Sequence, residues 1–131
     1  MQAQAARLEV PLITIAGNHE YFDEDVLSFD HKLATWDNYD TVSKKGVRVL
    51  QCQHIDIGDI RLLGCTLWTD YQYHANEDTM AAARHFMRDY KQIYAGNELF
   101  SPEVSMQIHA EHRYWLQQAL IESHELGKKT V

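Results

Sequence analysis

Cysteine is scarce in this chain: Cys52 and Cys65 are the only two, thirteen positions apart. That spacing matches no Cys-x-x-Cys zinc pattern and gives no disulfide framework, so both thiols are expected to be reduced, half-buried strand residues. With two prolines and six glycines, no Pro- or Gly-rich stretch divides the chain, and there are no repeats or low-complexity tracts. No segment approaches the roughly 18 apolar residues a membrane helix needs, and Met1 to Arg7 lack the apolar stretch of a secretory signal. No membrane partner and a cytoplasmic location are the expectations. Basic residues cluster only as pairs such as Lys44-Lys45 and Lys128-Lys129 in a chain of net charge -7, which argues against a general nucleic-acid binder, because neutralising phosphates takes clustered Lys and Arg.

What is present suits one core. The 131 residues, 45% hydrophobic and 24% charged, make a single domain over residues 1–131 and stand far from the polar, aromatic-poor composition of disorder. An acidic protein can still hold phosphate if divalent cations sit between its carboxylates and the phosphate oxygens. The charge is therefore compatible with a metal-assisted enzyme.

Val10 to Ala16 is a nearly continuous apolar run rich in β-branched residues, which predicts a strand buried on both faces and ending at Gly17. Asp23 to Leu33 holds the pattern of a short helix. Val47 to Gln53, Ile55 with Ile57, and Ile60 to Leu67 are β-rich, and Gly58-Asp59 is placed to turn the last two as a hairpin. Asn76-Glu77-Asp78 offers an N-cap and first-turn acids to a helix whose apolar positions Ala83, Phe86, Met87, Tyr90, Ile93 and Tyr94 run to Gly96. Ser101-Pro102-Glu103 opens a second long helix, with Val104, Ile108, Trp115, Leu116, Ala119 and Leu120 down one side and Gly127 at its end. Thr130-Val131 read as the opening of a further strand, so the sequence is expected to be truncated. The fold class is α/β (α+β), incomplete.

Gly17-Asn18-His19-Glu20, directly after the first apolar strand, stands where α/β sheets place their sites. Asn18 offers a neutral carbonyl oxygen to a hard or borderline metal, His19 a nitrogen or a proton near neutral pH, and Glu20 a carboxylate to orient the imidazole. Elsewhere the signals are weaker. His109 and His112 sit three apart on the last helix but form no His-Glu-x-x-His pattern, and they are expected to be surface or packing residues. Asp70 to His74 reads as a Tyr-rich loop that covers the core or borders a substrate entrance.

The Gly-Asn-His-Glu tetrapeptide after a strand resembles the third motif of the calcineurin-like metallophosphoesterases. The stretches Leu63 to Asp70, Met87 to Ile93, His112 to Leu120 and Lys128 to Val131 are similar to a bacterial phosphohydrolase-type subgroup of that family. The resemblance implies a β-sandwich flanked by helices and a site of two divalent metal ions, manganese, iron or zinc, that activates a hydroxide to attack phosphorus. It makes Asn18 a metal ligand, His19 the acid beside the substrate phosphate, and Glu20 the orienter of His19. The chain departs from the family's pattern. The earlier Asp-x-His and Gly-Asp-x-x-Asp motifs have no counterpart before Gly17, and no Gly-His occurs anywhere. Gly58-Asp59 is not the second motif, since it follows Gly17 and Ile60-Arg61-Leu62 lacks the needed Asp.

The expectation is an internal fragment of a phosphoester hydrolase, inactive alone because one carried-over ligand cannot hold an ion. The competing expectation is a non-catalytic remnant domain that acts through protein contacts, self-associating by its exposed sheet edges.

Overall fold

The structure is a computed structural model that describes residues 10–40, 45–74 and 77–131. Two strands, β1 (Leu12–Thr14) and β2 (Val47–Val49), pair in parallel with Leu12 opposite Val47 and Thr14 opposite Val49. Parallel neighbours need a crossover, and α1 (Phe29–Trp36) lies within it, burying Phe29 and Leu33. It begins later than the spacing predicts. Asp23 takes a positive φ of 63°, and Asp25 organises a turn in which its carboxylate accepts from Leu27 N at 3.0 Å and its carbonyl from Phe29 N at 2.9 Å.

The predicted hairpin forms from β3 (Gln53–Ile57) and β4 (Ile60–Gly64), antiparallel, with Ile57 opposite Ile60. Gly58 sits at its tip with φ 63°, a conformation that costs glycine little. Inside the hairpin the buried Arg61 donates to both oxygens of Asp56, at 2.8 and 3.1 Å, which holds the Asp56 carboxyl down at about 2.

The predicted single helix from Asn76 to Gly96 is broken, and its N-cap Asn76 lies outside the described residues. It becomes α2 (Glu77–Phe86), a short α3 (Asp89–Gln92), β5 (Tyr94–Ala95) and β6 (Glu98–Leu99), the two strands pairing as a small hairpin. Backbone competition explains the break: Tyr94 N donates to Glu24 O at 2.9 Å and Tyr94 O accepts from Val26 N at 2.8 Å, so the segment after α3 is held extended.

The last helix, α4 (Pro102–Glu125), starts as its sequence predicts, with Ser101 Oγ accepting from Val104 N and Pro102 in the first turn. At its end Gly127 adopts φ 65°, and Lys128 N reaches back to Ser123 O at 2.9 Å. The buried face includes much of the expected apolar side, with Ala119 buried and Val104 and Ile108 packed on the core, but it takes in polar residues as well. Ser105, His112, Ala119 and Ser123 are buried, whereas Leu120 is 45% exposed. These are mostly small residues whose hydroxyls find partners at close approach: Ser105 Oγ donates to Thr69 O at 2.9 Å and Ser123 Oγ meets Thr130 Oγ1 at 2.6 Å. The chain then enters β7 (Lys129–Thr130), which joins β4 in parallel.

Among the described residues the sheets are β1-β2, β3-β4-β7 and β5-β6, a mixed arrangement of helices and strands. The expectation that Val10 to Ala16 is buried on both faces is not met. The strand covers Leu12–Thr14 with half-buried side chains, and Val10 and Ile15 are 52% and 49% exposed. Among the described residues its sheet has two strands, and the neighbouring sheet packs tightly on it at Gly64, where an added Cβ would stand 2.5 Å from Leu50 Cβ and 2.9 Å from Ile15 Cγ2. No helix among the described residues is long and apolar enough to cross a membrane.

Aromatic rings form the core beside the first sheet. Tyr21 meets Phe29 at 4.6 Å and Trp68 at 5.3 Å, Trp68 meets Phe100 at 4.8 Å, and Phe100 stacks on Tyr90 at 5.5 Å. Edge-on and offset pairs of this kind favour one arrangement over others. Here they tie the segment after β1 to the loop after β4 and to α3.

Candidate functional site

Beyond β1 the chain runs extended through Gly17 and folds at Asn18–Tyr21 into a single 3-10 turn. The turn is pinned at its end by Tyr21, 1% exposed, whose phenol is pushed up to about 12 by burial. It is pinned at its start by a ring of hydrogen bonds. Gln51 Nε2 donates to Tyr21 OH at 3.3 Å, Tyr21 OH lies 3.1 Å from Thr66 Oγ1, and Thr66 Oγ1 reaches the Ala16 carbonyl at 3.0 Å. Thr66 N closes the ring on Gln51 Oε1 at 3.0 Å. Satisfied, half-buried networks of this kind hold a backbone rigidly, and the residue held is the one before Gly17.

Asn18, His19 and Glu20 are all exposed, but they are not equally free. Asn18 Nδ2 donates to Asp89 Oδ1 at 2.6 Å, and Asp89 is 5% exposed. A carboxylate only accepts, so this contact fixes the amide with its NH2 toward Asp89 and its carbonyl oxygen turned away. Asn18 lines a cavity of about 340 Å³ that Thr66, Trp68, Met87, Asp89 and Tyr90 also line. Tyr90, which lines the cavity, is hydrogen-bonded through its hydroxyl to that of Tyr71, and burial raises both phenols.

His19 does not line that cavity. Its imidazole lies against the Phe22 ring at 4.5 Å, and the Arg88 guanidinium stands over the same ring at 5.4 Å from the centroid. The half-buried Phe22 ring thus has both the His19 imidazole and the Arg88 guanidinium against it. Glu20 turns back on its own turn, where its Oε2 accepts from Gly17 N at 2.7 Å. Its carboxylate orients the backbone of the turn, and the bond found for it goes to Gly17, not to the imidazole it was expected to orient.

The structure therefore joins Asn18 to Asp89 and leaves His19 and Glu20 beside that pair. Asp89 was not singled out in the sequence as a site residue. A signal existed: an acidic residue inside the stripe Phe86 to Tyr94, which is read as core, needs a buried partner.

A second cavity, about 370 Å³, lies between the loop after β4 and α4 and is lined by Asp70, Gln72, His109, Arg113, Tyr114 and Gln117 among others. His109 Nδ1 meets the Trp68 carbonyl and Nε2 stands 3.6 Å from Asp70 Oδ2. His112 is a packing residue, 8% exposed, with burial lowering its basicity. Among the described residues no group of three or more His, Cys, Asp or Glu side chains is placed to hold a metal ion. The two ions implied by the resemblance need several donors each, and Asn18 is the one ligand that the resemblance names in this chain.

A scan of protein-family models, a search of curated proteins and a search of solved structures each found no match to this chain.

Proposed function

We propose that Gly17 to Glu20 is one strand-end loop of a metal-dependent phosphoester hydrolase site, in a calcineurin-like β-sandwich flanked by helices. The observation that carries this is the Asn18–Asp89 hydrogen bond. A buried carboxylate spent on the NH2 of an exposed amide leaves the amide oxygen fixed and, among the described residues, without a hydrogen-bond partner, the state in which an asparagine serves a hard cation. The Gly17 to Glu20 motif after β1 and the stretches similar to the family support it further. His19, beside Arg88 on the Phe22 ring, is the group for the phosphate side, where cationic donors stabilise developing charge. Glu20 shapes the turn. When bound, two divalent cations, manganese, iron or zinc, would supply the activated hydroxide, and donors beyond the described residues would have to hold them.

The 131-residue chain is accordingly proposed to be inactive by itself on phosphoesters. Reading the coding sequence that surrounds it tests the proposal: an in-frame Asp-x-His and Gly-Asp-x-x-Asp before Gly17 and a Gly-His-x-His after Val131 are expected. Their absence, or manganese-dependent phosphatase activity of the 131-residue chain lost on His19→Ala, would overturn it.

A partner-binding remnant is the second reading, and an open apolar surface favours it. Ile13, Ile15, Leu50, Leu62, Leu63 and Val131 border a shallow cavity of about 360 Å³ between the two larger sheets, with Ile15 and Val131 49% and 76% exposed. Exposed apolar surface beside unpaired strand edges drives association. Light scattering is expected to show oligomers that Ile15→Lys disperses; a cooperative monomer at all concentrations would count against it.

A further inference from the structure

The hairpin register pairs Gln53 with Gly64, which makes Cys52 and Cys65 the next rung. Opposed residues on antiparallel strands have Cα atoms about 4.5–5.5 Å apart, inside the roughly 4.4–6.8 Å that a disulfide spans. The backbone ladder ends before this rung, with Cys52 at φ 48°, yet the two thiols stay near enough for each to shift the acidity of the other. Both are free and half-buried, within reach of small solutes.

We propose that Cys52 and Cys65 are a redox-active cross-strand dithiol, closed to an intramolecular disulfide by a peroxide. The two sulfurs are unequal. Cys65 is brought down to about 7, chiefly by the Cys52 thiol beside it and further by the Leu67 backbone, against the effect of burial. Cys52 is pushed up by the Cys65 sulfur beside it and by burial. About half of Cys65 is then thiolate at pH 7, against about 3% of an ordinary cysteine. In the first step the Cys65 thiolate attacks one oxygen of hydrogen peroxide. The O–O bond breaks, hydroxide leaves and takes up the proton that Cys65 released on ionising, giving the first water, and Cys65 becomes a sulfenic acid. In the second step the Cys52 sulfur attacks the Cys65 sulfur, the S–O bond breaks, and water leaves with the Cys52 proton. Two thiols and one peroxide give one disulfide and two waters.

The position gives the oxidation a target. Cys65 precedes Thr66 and Cys52 follows Gln51, and these are the residues whose hydrogen bonds hold Ala16 and Tyr21 at the ends of the candidate loop. Closing the pair ties that support covalently.

The test treats the purified 131-residue chain with hydrogen peroxide, quenches with iodoacetamide, and maps peptides without reduction by mass spectrometry. The expected product is a monomer lighter by two hydrogens with a Cys52–Cys65 cross-linked peptide, restored by dithiothreitol. In Cys52→Ser a sulfenic acid at Cys65 is expected to be trapped by dimedone, and Cys65→Ser is expected to oxidise about 5–10-fold more slowly at its remaining thiol. Alkylation of the reduced wild-type chain is expected to favour Cys65 by a similar factor. Equal alkylation of the two thiols, oxygen addition without the cross-linked peptide, or cross-links only between chains would overturn the proposal.

Discussion

Replacing Asn18 and Asp89 singly and together measures how firmly the amide is held. The bond is 2.6 Å long and its acceptor is 5% exposed, so it is charge-assisted and mostly screened from water on one side. Asp89→Ala removes a hydrogen bond to a charged group and is expected to cost about 1.5–3 kcal/mol. Asn18→Ala leaves a buried carboxylate short of a donor, at a cost of about 1–3 kcal/mol. The double variant loses both partners, so the two effects do not add, and a coupling of about 1–2 kcal/mol is expected for groups in contact. Asn18→Asp sets two carboxylates face to face, and its destabilisation is expected to relax as the solution is acidified and one of them takes a proton. Urea unfolding followed by tryptophan fluorescence supplies the free energies, since Trp68 lies in the aromatic cluster next to the cavity. Coupling below about 0.5 kcal/mol would mean the amide is not anchored, and the argument for a free, oriented Oδ1 would fail.

Gly64→Ala is expected to destabilise by about 1–3 kcal/mol, because its Cβ has no room against Leu50 and Ile15. Gly58→Ala meets nothing within 4 Å and is expected to cost about 1 kcal/mol from its positive φ alone; urea midpoints separate the two. The buried His112 gives a pH dependence. Burial lowers its folded pKa, with the charges of Asp30 and Glu111 pulling the other way. The unfolded chain therefore takes up the proton first, so this contribution is fully present above about pH 6.5 and is lost as the pH falls below it. Midpoints measured from pH 7.5 to 5 are expected to fall in the wild type and to fall less in His112→Gln.

The elements that rest on local chemistry were legible in the sequence. Ser101 with Pro102 opened α4, Gly127 closed it, and Gly58-Asp59 turned the β3-β4 hairpin, because caps and tight turns are decided within a few residues. What escaped depended on distant partners. The helix predicted through Tyr94 gave way because Glu24 and Val26 claim the Tyr94 backbone, and α4 buries serines because Thr69 and Thr130 come close enough to bond them. The candidate site divides in the same way. The position of Gly17 to Glu20 after β1 followed from the apolar run before it. The roles of Asp89, Thr66 and Gln51 could not be read, since each acts across 15 or more positions of sequence.

Hydrolysis of bis-p-nitrophenyl phosphate with added manganese, by the whole product of the coding sequence that contains this chain, tests the central claim most directly. Asn18→Ala and His19→Ala are each expected to lower kcat/KM by about 100-fold or more, as removal of a group that stabilises transition-state charge does. Unchanged hydrolysis in both variants, or no hydrolysis by the unaltered product, would contradict the assignment.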